Sequence, residues 1–320
     1  MGAIGIGPGD EVIVPPYTMS ATAMAPLAYG GIPVFADIED ETFCIDPEAV
    51  RAVIGPRTKA IIAVNLFGHP ARLHELRALA DERGLHLIED NAQAVLAAED
   101  GKYTGTIGHI GVFSLNYHKH IHTGEGGVCL TDDDNLALRL QMIRNHAENL
   151  VEPLQLADIS SLIGFNYRLG ELAAAVGTVQ LANADTHIGI RIRLGERLSA
   201  ALEGLDGLTA PRVRDGCTHA YYVWSARYDE KAMGVPRDVF SRALEAEGFP
   251  HFVGYVRPLY RLPLFQRRVG FGRDGFPFTL TNRRYEGDLC PVAERLHRSE
   301  LLCFETCMYD VTDAEIDQFA

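Results

Sequence analysis

The stretch KAIIAVNLFGHPARLHELRALADERGLHLIEDNAQ, Lys59 to Gln93, decides the fold. Its opening run, Lys59–Phe67, is continuously apolar, which predicts a strand covered on both faces. Leu73–Arg83 has helical composition and stops at Gly84, the residue that most readily takes the left-handed turn ending a helix. Leu85–Asp90 predicts a second strand. A strand, a crossover helix and another strand of this kind lie parallel in one sheet.

The same alternation extends in both directions. Upstream, Glu11–Val14 predicts a strand, Ala21–Tyr29 a helix stopped by Gly30-Gly31, and Ile32–Ile38 a strand; Asp46-Pro47 opens a short helix. Downstream, Ile107–Tyr117 reads as a strand, and Gly124-Glu125-Gly126-Gly127 as a tight turn into the strand Val128–Thr131. Asp132-Asp133-Asp134 then caps a helix running to about His146, where acidic side chains suit the helix dipole. Residues 147–165 read as a loop and Gly170–Leu205 as one long helix. The pattern changes around Gly204–Gly216, after which Tyr221–Trp224 predicts a strand and Arg237–Glu247 a helix; residues 248–285 give no clear element. The expectation is α/β: a large domain over residues 1–205 with a mostly parallel central sheet, and a smaller α+β domain over 206–320.

Composition narrows the function. The chain has 320 residues, 47% hydrophobic and 22% charged, with a formal net charge of -14. An acidic chain lacks the basic face that nucleic acid requires. No apolar run has the roughly 18–20 residues needed to span a bilayer, and no signal peptide is visible at Met1. The six cysteines form no C-x-x-C pair. Single ones inside apolar runs, such as Cys129, read as small buried hydrophobes, and Cys303 and Cys307, four apart, would share one face of a helix. Reduced thiols in a cytoplasmic protein are expected. Only four lysines occur, Lys59, Lys102, Lys119 and Lys231, so chemistry needing an amine has few candidates.

Asp90 ends a predicted strand, with Gln93 three residues on. In open α/β sheets ligands bind outside the carboxyl ends of the strands; a carboxylate there reads as a working group or as a cap of the following turn. Next comes FSLNYHKHIHTGEGG, Phe113–Gly127, with Lys119 among histidines beside a Gly-rich turn. Schiff-base chemistry uses such a lysine, although a surface lysine is the simpler reading. His118, His120 and His122, spaced by two on one strand face, read alternatively as metal ligands, but no fourth ligand stands next to them.

Together these motifs resemble the DegT/DnrJ/EryC1/StrS sugar aminotransferase family: Asp-x-x-Gln at a strand end, Ser114-x(4)-Lys119, and Thr123-Gly124-Glu125-Gly126-Gly127. Gly9–Pro15, Pro33–Ile38, Pro56–Ile61, Arg144-Asn145-His146 and Gly164–Leu169 agree with it. The resemblance implies fold type I, the aspartate-aminotransferase-like fold, with pyridoxal 5'-phosphate (PLP) as cofactor and no catalytic metal. It implies that Lys119 forms the Schiff base and carries the proton, Asp90 pairs with the pyridine nitrogen, Gln93 hydrogen-bonds the ring's 3-oxygen and Ser114 contacts the phosphate. It further implies that Asn166 reaches the phosphate of the other subunit of a homodimer, with the site at the interface. The substrates so implied are a keto-sugar, often nucleotide-linked, or a keto-cyclitol as acceptor, and glutamate or glutamine as donor.

Three departures from the family pattern stand out. Many members stack an aromatic residue on the ring; here the pair is Thr18-Met19, so Met19 is expected to pack there. The family's N-terminal segment, with a Gly-Thr phosphate loop, is expected to be lacking, which implies weak PLP binding and an aggregation-prone chain. The Pro-Pro-Leu-His-like run is replaced by Tyr255–Tyr260. A sugar-dehydrating branch of the family has histidine at the lysine position, which leaves dehydration and a non-catalytic chain as alternatives to transamination.

Overall fold

In a computed structural model the described residues are 1–147, 155–156, 158–306 and 311–320. A six-stranded sheet dominates, in the order β2-β1-β3-β4-β7-β8. Its strands are β1 Glu11–Val14, β2 Ile32–Phe35, β3 Thr58–Val64, β4 His86–Asp90, β7 Ile110–Ser114 and β8 Gly127–Leu130. All pairings are parallel except β7 with β8. Helices α1 Ala21–Ala28, α2 Pro47–Val53 and α3 Leu73–Arg83 make the crossovers. Val12, Ile13, Ile61, Ala63 and Leu87 are fully buried, as strands covered on both faces require. Two short strands, β5 Ala98–Glu99 and β6 Lys102–Tyr103, form a small antiparallel sheet with β10 Cys217–Thr218.

After β8 come α4 Asp134–Arg144, α5 Glu171–Ala182 and α6 Ala184–Ala201. A second, antiparallel sheet has the order β12-β13-β11-β9, from β9 Leu208–Thr209, β11 Trp224–Tyr228, β12 Phe252–Val253 and β13 Leu301–Phe304. Its core joins Trp224, Tyr228, Leu302 and Phe304 to Leu194 and Leu198 of α6. The first core takes in Tyr260, Phe265, Phe278 and Tyr285 from late in the chain. Glu11 of β1, 2% exposed, is held by Arg57 at 2.9 Å and by Arg283 at 2.8 Å.

Several sequence expectations are corrected. The run Lys59–Phe67 stops being strand at Val64, because Phe67 turns to a left-handed φ of 59°. Ile107–Tyr117 shortens to β7: the N–H groups of Ile107 and Gly108 go to the buried Glu89 carboxylate instead of the sheet ladder. The single helix Gly170–Leu205 is two, broken at Asn183, whose side-chain amide caps the Val179 carbonyl at 2.8 Å. The strand placed at Tyr221–Trp224 begins only at Trp224, since Tyr221 is left-handed with φ 47°.

Cys303 lies in strand β13, so it presents no helix face; Cys307 falls outside the described residues. Cys129 is exposed, because β8 is the edge of its sheet. Of the expected loop 147–165, only residues 147, 155–156 and 158–165 are described, and they form turns, a bend and irregular chain without helix or strand. Among the described residues no helix is long and apolar enough to cross a membrane.

Candidate active site

Asp90 closes β4 between Val64 of β3 and Val112 of β7, at the carboxyl end of three parallel strands. One carboxylate oxygen accepts the Thr22 hydroxyl of α1 at 3.0 Å, the other the Ala92 N–H at 3.1 Å. Burial raises its pKa above the usual carboxylate range, against the pull of those two donors and of the Lys119 charge. The preceding Glu89 points to the opposite side of the strand. It accepts the N–H groups of Gly105 at 2.6 Å, Ile107 at 2.8 Å and Gly108, fixing the turn that leads into β7.

Gln93 is 5% exposed, and its amide orientation is fixed. Its oxygen accepts the Phe67 N–H at 2.7 Å, and its nitrogen donates to the Tyr255 hydroxyl at 2.9 Å. Tyr255 arrives from beyond β12 with φ 36° and packs edge-on against Tyr17 and Phe67.

Lys119 sits in the hairpin between β7 and β8. The hairpin is closed by Leu115 N–H to Gly126 O at 2.9 Å and Thr123 N–H to Leu115 O at 3.0 Å. Asn116 donates to Glu125 at 2.7 Å. Gly126, at φ 159°, leaves room where a Cβ would stand 2.8 Å from the Thr123 hydroxyl. The Lys119 amine lies 3.4 Å from the Tyr222 hydroxyl and 4.5 Å from that ring's centroid. His120 ties the hairpin across the cleft, its Nε2 donating to Ala220 O at 2.9 Å.

Residues 118–122 are turn rather than strand, so the two-residue spacing of His118, His120 and His122 does not give them a common strand face. Among the described residues no group of three His, Cys, Asp or Glu side chains could hold a metal ion.

The structure therefore brings Asp90, Gln93 and Lys119 to one end of the large sheet. Ser114 ends β7 at the same side, its hydroxyl accepting the Asn116 N–H at 3.3 Å. Met19 lies three residues before Thr22 and is 59% exposed, with its sulfur accepting the Ala21 N–H at 3.2 Å. Asn166 bridges Asn145 on the exposed surface beside the stacked rings of Phe165 and Tyr167. Among the described residues its bridge partner is Asn145. Sequence reading missed Thr22 and Tyr222, which carry no local motif, and placed Tyr255 only in the run Tyr255–Tyr260, not beside Gln93.

The residue set suits PLP. A desolvated carboxylate with two neutral donors is stabilised in its charged form by a cationic ring nitrogen. Gln93 turns its N–H2 rather than its oxygen away from Phe67, and an amine shares the site with Asp90. The family profile for DegT/DnrJ/EryC1/StrS aminotransferases matches residues 1–291. The chain belongs to this family. Its members are PLP-dependent enzymes of fold type I, and this chain is a PLP-dependent aminotransferase in that sense. It is 36% identical over 330 residues to an L-glutamine:2-deoxy-scyllo-inosose aminotransferase from Streptoalloteichus tenebrarius, covering 97% of this chain and 76% of that protein. It is 35% identical over 268 residues to a UDP-N-acetyl-3-dehydro-alpha-D-glucosamine 3-aminotransferase from Acidithiobacillus ferrooxidans, covering 83% and 69% respectively. Among solved structures, the aminotransferase from Psychrobacter cryohalolentis superposes with a TM-score of 0.83 at 30% identity, covering 99% of this chain and 80% of that one.

Proposed function

We propose that this chain transfers an amino group from glutamine or glutamate to the ketone of a cyclitol or sugar. The observation that carries the reading is the convergence of a buried carboxylate, Asp90, and an amine, Lys119, at the carboxyl end of the parallel sheet. The glutamine-dependent inosose relative, similar over nearly the whole chain, favours a cyclitol acceptor and glutamine as donor. The nucleotide-sugar relative keeps a UDP-linked 3-keto-sugar as the second acceptor.

When bound, PLP supplies an electrophilic carbon for the amino group and a ring that draws electrons from the carbon being deprotonated. The chain's residues do the rest. Asp90 would hold positive charge at the ring nitrogen, and the Thr22 hydroxyl fixes that carboxylate. Gln93 presents a hydrogen from an amide locked by Phe67 and Tyr255. Lys119 would anchor the cofactor, and its Nζ would take up and return the proton of the substrate carbon. Ser114 would hold the phosphate, Met19 would pack on the ring, and Asn166 would complete the phosphate site of a second copy in a cytoplasmic homodimer.

The purified chain, given PLP, L-glutamine and 2-deoxy-scyllo-inosose, should yield the amino-cyclitol by mass spectrometry, and Lys119→Ala should yield none. L-Glutamate and UDP-N-acetyl-3-dehydro-glucosamine, substituted in turn, read the donor and the acceptor. Ammonia release without amination would show dehydration instead. Failure to aminate either acceptor would overturn the substrate assignment.

A further inference from the structure

Residues 220–223 run from the second sheet to the mouth of the first and are pinned on both sides. Ala220 N–H donates to Gly68 O at 2.8 Å and Val223 N–H to Phe67 O at 3.1 Å. The approach is so close that a Cβ at Gly68, φ 104°, would come 2.8 Å from Tyr221 N and 3.0 Å from Tyr222 N. From the other side the Thr306 hydroxyl donates to the carbonyls of Tyr221 and Tyr222. Tyr221 is held at φ 47°, a sparsely populated conformation for an aromatic residue that persists only where the surroundings enforce it.

This pinning fixes the place of the next ring. Tyr222 is 4% exposed and lies against Lys119, with its hydroxyl donating to Glu305 Oε1 at 3.3 Å. With its proton committed to Glu305, the phenol oxygen accepts from Lys119 Nζ at 3.4 Å, and the ring face lies 4.5 Å below the same amine. An aromatic face and a carboxylate relayed through one hydroxyl both favour the ammonium over the neutral amine.

We propose that Tyr222 and Glu305 are a positioning pair for Lys119, holding its amine at one place and in its proton-carrying form whenever it is not bonded to the cofactor. The proposal rests on reading Lys119 as the cofactor lysine. It makes the second sheet part of the proton-transfer apparatus, since Tyr222 stands two residues before β11 and Glu305 directly follows β13. Among the described residues, the groups that also feel the charge of the amine include Asp90 from β4 and His118 and His120 on its own turn. Tyr255 feels the charges of both Asp90 and Glu305.

The test uses the full chain without PLP. Competitive acetylation with acetic anhydride across pH 6–10, read by peptide mass spectrometry, follows Lys119 with Lys59, Lys102 and Lys231 as internal references. In Tyr222→Phe and in Glu305→Gln the midpoint for Lys119 should fall by about half to one pH unit. At a fixed pH below the midpoint, labelling should therefore rise about three- to tenfold. The double variant should match Tyr222→Phe alone, because Glu305 acts through the phenol. Thermal melting identifies a variant that fails to fold; Glu305→Gln then carries the test by itself. An unmoved midpoint, or a Glu305→Gln shift that adds fully to that of Tyr222→Phe, would overturn the proposal. Borohydride reduction of the PLP-loaded wild type tests the lysine assignment separately. A pyridoxyl label on another lysine would sink that assignment and leave the acetylation result standing.

Discussion

Lowering the pH from 7 to 5 should weaken this protein through two histidines buried in neutral form. The His69 Nδ1 donates to Pro70 O at 2.7 Å, and its Nε2 accepts the Arg214 N–H at 3.2 Å, so one proton satisfies the ring. His120 donates from Nε2 to Ala220 O, and its Nδ1 is buried without a hydrogen-bond partner among the described residues. Burial, then the charge of Arg214, pushes His69 down to about 4. Burial, then Arg191 and Lys119, pushes His120 to about 4 despite the Ala220 carbonyl. His219 moves in the same direction, chiefly through burial.

For each ring the folded pKa lies below the unfolded one, so the unfolded chain takes up protons first as the pH falls. The stabilisation present above pH 6.5 is therefore lost between about pH 6.5 and 4 and does not decline further below that. At pH 5 each histidine has cost about 2 kcal/mol relative to pH 7, or about 4 kcal/mol for the pair. Folded proteins have roughly 5–15 kcal/mol in hand. Glu89 and Asp90, both raised mainly by burial, take up protons in the folded state and offset part of the loss. Comparison with a variant isolates the histidine share. The single tryptophan, Trp224, is 1% exposed and reports urea unfolding. The stability lost between pH 7 and pH 5 should be smaller in His120→Gln than in wild type by about 2 kcal/mol. Equal losses in the two proteins would refute the reasoning.

Borohydride reduction with PLP should place the pyridoxyl group on Lys119, and Lys119→Ala should abolish transamination, since among the described residues no substitute amine stands in the site. Asp90→Asn should keep the melting temperature within a few degrees but cut turnover by orders of magnitude. Thr22→Val, which removes one donor to that carboxylate, should cost about tenfold in kcat/KM. Mixing Lys119→Ala chains with Asn166→Ala chains should restore part of the activity each lacks alone. No recovery despite demonstrated subunit exchange would mean that each site is built from one chain.

The parallel half of the fold was legible because its signals are local: apolar runs, helix stops and crossover lengths repeat within a few tens of residues. Asp90, Gln93 and Lys119 were legible because they fall in two short contiguous motifs. Their partners were not. The Thr22–Asp90, Lys119–Tyr222 and Gln93–Tyr255 contacts span 68, 103 and 162 residues, and only the folded chain brings them together. Strand ends were misplaced for the same reason: side chains from elsewhere, Glu89 and Gln93, take the N–H groups that a ladder would have used. At Asn183 a local competitor did the same to a helix, its amide reaching the carbonyl four residues back.

The buried Glu11 has a consequence for the order in which the protein is made. Arg57 leaves the ribosome soon after it, but Arg283 follows 272 residues later, with Tyr260, Phe265, Phe278 and Tyr285 of the same core. Until that late stretch emerges, a carboxylate in the first strand is only half neutralised and the apolar cover of its sheet is incomplete. The sheet around Glu11 is thus a nascent structure waiting for the stretch that carries Arg283. A ribosome-stalled or prematurely released chain ending near residue 205 would display that unfinished core to chaperones and proteases, so intact product depends on the chain being synthesised through Arg283.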